Sequence, residues 1–555
     1  MTAWALPAQW QAAFQRDRQS AEVSAADPLP ERRAARLLAA FILSGLAYLA
    51  LPGTFLGVWN LIEIAAHRTA AGASSAWIQA HGHAQVFGWV GSFILGISLF
   101  ILPKVRGAPL RSLRLGWLTW ALWTAGVGWR WGCGVGLHGW RVGLPASAIL
   151  ELAALGLSQY LLFFPRRGRP NSGRRSRWSR LRSGFDGRQR RPTPLGASPS
   201  CRDSRRPRRR PKDLGSLLGI AGFGGLAAAL IVNAMAAFRT AAANAIPQYP
   251  ARLDRMTVEL ALWGFMLPLA WGYSTRFVTI FAGLRPPRQR AATVLGAGVM
   301  ALIALLLAGQ FALADSLAAI LVGVAAWALR IFEPAAKPAK RLGVYRHFPA
   351  FIRLAYGWLA AGTALELAAN FQPALGGAAR HALTVGFVAT LIFAIGPRIL
   401  PAFLSSRELF SSRLMASSLW LLAVGCLARV ASEAAAYSGA AGWAWKVLPA
   451  SAFLELAAVL LFVANLALTL AHPPPAWFRP ETMGGETPLY WYISSYPRTR
   501  RLLIAGGLKT LARTRAVPRS LTLAEAAAAE GLDVEVLVGQ LHTFFRQRQP
   551  RRARA

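Results

Sequence analysis

Twelve stretches, each about twenty residues long and mostly apolar, set the limits on what this chain can fold into. They lie near 36–58, 83–103, 115–135, 144–164, 214–236, 257–282, 291–312, 314–332, 351–371, 381–403, 414–434 and 447–470. A helix rising about 1.5 Å per residue needs some twenty apolar residues to cross the hydrocarbon of a bilayer. Each stretch is therefore read as a transmembrane helix, and the chain as an all-α polytopic membrane protein surrounded by lipid. Of its 555 residues 54% are hydrophobic and 15% charged. Soluble domains carry roughly 25% charge, so an ordinary water-soluble enzyme is excluded. Cys133, Cys201 and Cys426 stand far apart with no CxxC spacing, which rules out a disulfide framework, a zinc ribbon and a CxxCH attachment site. The first residues run into a polar stretch with Arg16, Asp17 and Arg18, so no signal peptide is expected.

The formal net charge is +39, and it sits in connections and tails. The connections after the second, sixth and eighth stretches carry Lys104, Arg106 and Arg111; Arg285, Arg288 and Arg290; and Lys337, Lys340, Arg341 and Arg346. The one after the fourth carries eighteen basic residues between Arg166 and Lys212. On the opposite side Arg68, Arg141, Arg380 and Lys446 stand one to a connection; the exception, after the fifth stretch, holds Arg239, Arg252 and Arg255. Basic residues stay on the cytoplasmic side, so both termini are expected in the cytoplasm of a bacterium, with the body in its inner membrane. The expected domains are a cytoplasmic segment 1–35, a membrane domain 36–472 and a cytoplasmic tail 473–555. Segment 166–213 sets its eighteen basic residues against Asp186, Asp203 and Asp213, a net +15. It has too few apolar residues to bury a core and is expected to be a disordered, solvated loop. No nucleic-acid partner is expected.

The chain resembles itself. The second stretch opens His83-Ala84, has Gly88 five residues on and ends Ile101-Leu102-Pro103; the tenth repeats this 298 residues later with His381-Ala382, Gly386 and Ile399-Leu400-Pro401. The fourth stretch opens LPASAILELAA at Leu144 and the twelfth LPASAFLELAA at Leu448; Arg130 and Arg429 match between the third and eleventh. Eight helices separate the copies, so they cross the bilayer in the same direction, as parallel repeats. A third copy lies between them, with Glu259 and Gly264 in the sixth stretch where the tenth has His381 and Gly386. The expected architecture is twelve transmembrane helices in three pseudo-symmetric four-helix arcs, followed by a small C-terminal cytoplasmic helical domain. In that tail Leu521 starts one short helix, Gly531 ends it, and Val534–Phe545 forms a second.

His83 and His381 share a repeat position and therefore a membrane depth, at the outer end. Ionisable groups inside a bilayer usually line a cavity or bind something. Two readings fit: two imidazoles on facing helices are the axial donor pair of a haem, or they are interfacial histidines inherited together. Gly88 and Gly386 would let a flat macrocycle approach the backbone. His81 points about 200° away from His83 on a helix; with His67 or His138 it would make a small copper or zinc site. Arg130 with Glu151, and Arg429 with Glu455, are expected to form matching ion pairs, or the arginines to meet haem propionates. Glu366 has no evident partner. Trp117, Trp120, Trp123, Trp129 and Trp131 read as interfacial belt or packing.

The His-Ala-x-x-x-Gly openings, the span count and the segments HGHAQVFGWVGSFILGISLFILP, WGYSTRFVTIF, RLAYGWLAAGTALELA and HALTVGFVATLIFAIGPRILPAF resemble the NnrS family over roughly 36–472. That family is itself similar to the catalytic subunits of haem–copper oxidases and nitric-oxide reductases. The resemblance implies a membrane protein holding haem b, and copper, in nitric-oxide stress or denitrification-linked metabolism, with nitric oxide or an iron–nitrosyl species as its ligand. His83 and His381 would hold the haem, Arg130 and Arg429 its propionates, and His81 joins the metal-site candidates. The sixth and seventh stretches carry no histidine, so a binuclear oxygen-reducing centre is not expected. A haem-free transporter or scaffold, and a redox enzyme reducing nitric oxide, are the alternatives.

Overall fold

The structure, a computed structural model, describes residues 6–19, 28–106, 110–136, 139–164, 213–337, 339, 344–404, 409–471, 483–495, 499–514, 517–518 and 520–546. The Arg-rich segment lies outside them, apart from Asp213, and so does His138. All described elements are helical; the one extended pairing among the described residues is an isolated bridge between Pro488 and Thr522.

Nine described helices are long and apolar enough to cross a membrane: Arg33–His67, Ser75–Pro103, Trp140–Phe163, Leu214–Ala243, Gln289–Leu307, Phe311–Leu329, Pro373–Pro401, Ser412–Tyr437 and Ala444–Ala471. The other three expected stretches are helical but fall outside this group. Leu113–Gly134 carries five tryptophans and two arginines, Phe348–Ala369 carries Arg353 and Glu366, and the helical run from Ala251 is broken at Thr275–Arg276 before Phe277–Phe281. Apolar side chains cover both faces of the spanning helices. Ile231, Val294, Ile320, Leu427 and Leu460 are more than half exposed, while their neighbours Leu230, Leu295, Leu321, Cys426 and Val459 are buried. The outward apolar faces meet the lipid bilayer, and the inward faces pack on other helices. Polar side chains start the helices locally: Ser112 Oγ accepts from Leu115 N at 3.3 Å, Ser411 Oγ from Leu414 N at 3.2 Å and Asp213 Oδ1 from Ser216 N at 2.9 Å. Ser112 and Ser411 are 299 residues apart, so the repeat extends to the caps.

The chain divides into two compact units. One comprises Leu37–Leu400 and Ser411–Ala467; the other comprises Met1–Arg36, Pro401–Phe410 and Leu468–Ala555. In the second, helix Ala8–Gln19 contributes Trp10 and Ala13 to a buried cluster with Tyr492, Leu503, Leu511, Leu523 and Leu541. Thr522 and Glu525 cap Leu523–Ala528 reciprocally, and the Glu530 carboxylate accepts from Lys509 N and Thr510 N at 2.7 and 2.8 Å, closing the start of Lys509–Arg513. Burial pushes the Tyr492 phenol up to about 12.

In the first unit, three helices widen into π turns at one register. Ala84–Gly91 begins after His83, Leu260–Met266 after Glu259, and Ala382–Ala389 after His381. A fourth, Leu49–Phe55, surrounds Pro52, whose missing N–H interrupts the ordinary ladder. A wide turn releases backbone carbonyls that lipid cannot satisfy, so side chains must. Trp123 Nε1 donates to Phe87 O at 3.2 Å, Thr54 Oγ1 to Leu49 O at 2.8 Å and Thr390 Oγ1 to Val385 O at 3.2 Å. Trp123 is fully buried for this purpose, whereas Trp117 and Trp129 stand exposed as belt residues do.

The glycine five residues into each register takes up a neighbouring helix. A Cβ on Gly88 would collide with the Tyr48 ring at 2.8 Å, and one on Gly386 with the Trp358 ring at 2.6 Å; Gly225 lies against the Gly264 carbonyl. The expectation that Gly88 and Gly386 open room for a macrocycle is therefore corrected: protein rings fill that room. At Gly225→Ala the new methyl meets backbone, which cannot swing aside. This variant should lose about 1–3 kcal/mol. Gly224→Ala, with open space around it, should be neutral or gain up to roughly 1 kcal/mol. Thermal unfolding of both in detergent checks the pair, and equal midpoints would contradict the packing.

Candidate functional site

The register residues open onto one cavity of about 600 Å³ in the first unit, within the range of small-molecule and cofactor pockets. His81, His83, Arg130, His381 and Arg429, the five residues singled out from sequence, all line it, with Glu259, Arg380, Glu433 and Glu455.

His83 is buried, and its Nε2 lies 2.8 Å from Glu151 Oε1, also buried. The second Glu151 oxygen accepts from Asn233 Nδ2 at 3.5 Å. Glu151 fits here because Gly126 faces it: a Cβ there would sit 2.9 Å from Glu151 Cγ. His381 is held differently. Its Nδ1 is 2.9 Å from Gly377 O and 3.1 Å from Glu433 Oε2, and its Nε2 accepts from Arg429 Nη2 at 3.4 Å. Arg429 Nε lies 3.4 Å from the same Glu433 oxygen. Gly377 presses on Glu433 as Gly126 presses on Glu151.

The expected ion pairs are corrected by this geometry. Glu151 takes His83 and Asn233, not Arg130, because a buried imidazole on the facing helix reaches it directly. Arg130 stacks instead over the Tyr249 ring at 4.1 Å, with Nε and Nη1 buried and unpartnered. Glu455 Oε1 is likewise buried without a partner, since Arg429 turns to Glu433 one helical turn along its own helix. Tyr249 is pinned by Gln79, whose amide oxygen accepts from Tyr249 N at 2.8 Å and whose Nε2 donates to Tyr249 O at 3.2 Å. Burial pushes the Tyr249 phenol up to about 12, against the opposing pull of the Arg130 charge.

His81 lies in the same wall with Nδ1 2.8 Å from Gly53 O and its ring packed on Gly57. His67, the suggested companion, is exposed and bonds Glu63 O at 2.9 Å. Among the described residues, the single group of three or more metal-ligating side chains is Glu259, Asp315 and Glu366, which excludes both histidines. Glu433 and Asp315 were not foreseen from sequence. Neither lies in a repeated motif; position 134, 299 residues before Glu433, is Gly134.

A sequence-family profile described as a domain of unknown function, DUF8744, matches residues 220–471. No curated protein matches the sequence. The solved structures do: a chain of a heme-copper terminal oxidase dimer, determined by cryo-EM, superposes with TM-score 0.57 at 12% identity, over 80% of this chain and 84% of that one. At that identity the likeness is one of fold. The chain has a haem–copper-oxidase-like helical fold.

Removing one partner of a buried hydrogen bond to a charged group leaves the other unsatisfied, at about 1–3 kcal/mol or more. Glu151→Ala should therefore be strongly destabilising, and the His83→Ala/Glu151→Ala double variant should fall short of the summed losses by about 0.5–3 kcal/mol. Unfolding in mixed detergent–SDS micelles measures the cycle; strict additivity would mean the 2.8 Å contact contributes nothing.

Proposed function

We propose that the chain is a haem protein of the bacterial inner membrane, of the NnrS type, acting in nitric-oxide stress metabolism. In this reading it has twelve spans in three four-helix arcs, both termini cytoplasmic, and one haem b pocket between His83 and His381. The carrying observation is that two imidazoles from the same repeat register line a single cavity together with two guanidinium groups that have unused donors.

The donor set fits the group. A metal-bound histidine commonly gives its second nitrogen to a carboxylate or a backbone carbonyl, which fixes the tautomer and strengthens the ligand. His381 has Gly377 O and Glu433 at its Nδ1, so Nε2, which meets Arg429 Nη2 at 3.4 Å, is the nitrogen a metal would take in place of that contact. His83 gives Nε2 to Glu151, which leaves Nδ1. Arg130 Nε and Nη1 and Arg429 Nη1 are buried without acceptors, and guanidinium forks bind carboxylates well. These residues would hold the haem and its propionates; the bound haem would supply an iron able to take nitric oxide. The protein's own share is to orient both imidazoles, to neutralise the carboxylates and to exclude water with the buried Phe87 ring, 4.7 Å from His83.

The three π turns at one register and the matching caps support the three-arc reading. The nitric-oxide role comes from the NnrS resemblance. Copper finds no support in the described residues, since His67 is turned to its own helix and the sole ligand cluster is all carboxylate; oxygen-only sites suit harder ions.

Protein purified in detergent from haem-replete cells should show a b-type reduced-minus-oxidised spectrum and a pyridine haemochrome. His83→Ala and His381→Ala should each abolish it, while the exposed His347→Ala keeps it. A haem-free wild type would overturn the proposal in favour of a transporter or scaffold lined by the same cavity.

A further inference from the structure

Glu259 occupies the register of His83 and His381 but faces different company. One carboxylate oxygen from each of Glu259, Asp315 and Glu366 lies within 4.8 Å of the others. The three are 4%, 2% and 6% exposed. They come together by topology: Glu259 ends Ala251–Glu259, Asp315 lies in the first turns of Phe311–Leu329, and Glu366 lies in the last turn of Phe348–Ala369.

Compensation inside the protein is incomplete. Arg255 Nε is 3.8 Å from Glu259 Oε1, and its side chain is 46% exposed. Asn370 Nδ2 donates to Asp315 Oδ2 at 3.0 Å. Neither Asp315 nor Glu366 has an ion pair among the described residues, and Arg380 acts on Glu366 only at longer range. Most pointedly, Glu366 brings to the cluster a carboxylate whose Oε2 is buried with no hydrogen-bond partner. A buried carboxylate oxygen without a hydrogen-bond donor is costly, so a counter-ion or a proton shared with Glu259 has to satisfy it.

We propose that Glu259, Asp315 and Glu366 bind one hard divalent cation of the calcium class. With all three ionised, the carboxylates against the single partly exposed guanidinium of Arg255 would carry an excess of two negative charges, the charge of one such ion. Oxygen-only donors select calcium, magnesium or manganese over copper or zinc. Calcium–oxygen bonds of about 2.3–2.6 Å put two ligands of one ion at most ~5 Å apart, and the three oxygens lie within 4.8 Å of one another, inside that reach. Because Glu259 also lines the main cavity, the ion would be part of its wall. This site rests on none of the residues assigned to haem.

The test uses the full chain in detergent, stripped with chelator and titrated with calcium chloride, read by equilibrium dialysis and thermal unfolding. The expected result is one calcium per chain, a rise in unfolding temperature on adding it, and displacement by manganese with an ordered EPR signal. Glu366→Gln and Asp315→Asn should each weaken binding by at least about 10–100-fold, the loss seen when even a supporting partner of a metal ligand is removed. In chelator, Glu366→Gln should unfold at a higher temperature than wild type, because it relieves repulsion; with calcium the order should reverse. That crossing separates loss of a ligand from general misfolding. Wild type that binds no calcium at millimolar concentration, or variants that bind as well as wild type, would overturn the proposal. A stability that follows pH but ignores calcium would overturn it too, by assigning the neutralisation to protons.

Discussion

An ion buried among apolar helices costs several kcal/mol unless something opposite in charge, or a dense set of dipoles, stands against it. The interior of this protein carries Arg130, Glu151, Glu259, Asp315, Glu366, Arg429 and Glu433, all less than a tenth exposed. Much else follows from how each is accommodated. Glu151 is met by an imidazole and an amide, Arg130 by an aromatic face, and Arg429 by a carboxylate one turn away on its own helix. Glycines beneath these groups are a second consequence. Gly126, Gly377 and Gly425 each surrender their side-chain space to a glutamate, because a charged head can be placed deep in a bundle only where its stem has room.

The same economy governs the backbone. Widening a helix into a π turn re-aims the side chains that follow it, but it exposes carbonyls that must be bonded internally in a bilayer. The protein answers with Thr54 and Thr390, each reaching five residues back, and with the indole of Trp123. The turns and the cavity are therefore coupled. In three of the wide turns the residue just before the turn, His83, Glu259 or His381, faces the cavity.

Much of this was legible in the sequence because it was written twice. The 298-residue recurrence of His-Ala-x-x-x-Gly marks positions that the structure places in one register, each followed by a π turn, and the weaker Glu259 copy falls in the same frame. Nine of the expected spans were readable from apolar length alone, whereas Leu113–Gly134, Ala251–Phe281 and Phe348–Ala369 fall outside that group because they spend apolar positions on Trp, charge and a turn. What repetition marked, it also misread. Arg130 with Glu151 and Arg429 with Glu455 matched between copies and so were paired, yet matching positions show common descent, not contact. Glu433 and Asp315 have no counterpart in a repeat, and Glu366 had no visible partner because two helices far apart in sequence supply its neighbours.

Divergence between the copies is where the cavity acquires its character. Glu151 and Glu455 keep the same seat, each over a glycine, and only the first still bonds a histidine. Where the first copy has Gly134, the last has Glu433, one turn beyond Arg429 and within reach of His381. At this position the copies differ, and His381 meets Glu433 while Glu455 Oε1 has no partner. The His381 side chain remains 26% exposed against 5% for His83. The two imidazoles share one register, yet one is an enclosed group beside Glu151 and the other a more open member of a charged network with Arg429 and Glu433. A symmetric pair would give the cavity two equivalent walls. This pair gives it one wall built on an enclosed His83–Glu151 contact and one built on a more exposed cluster of His381, Arg429 and Glu433.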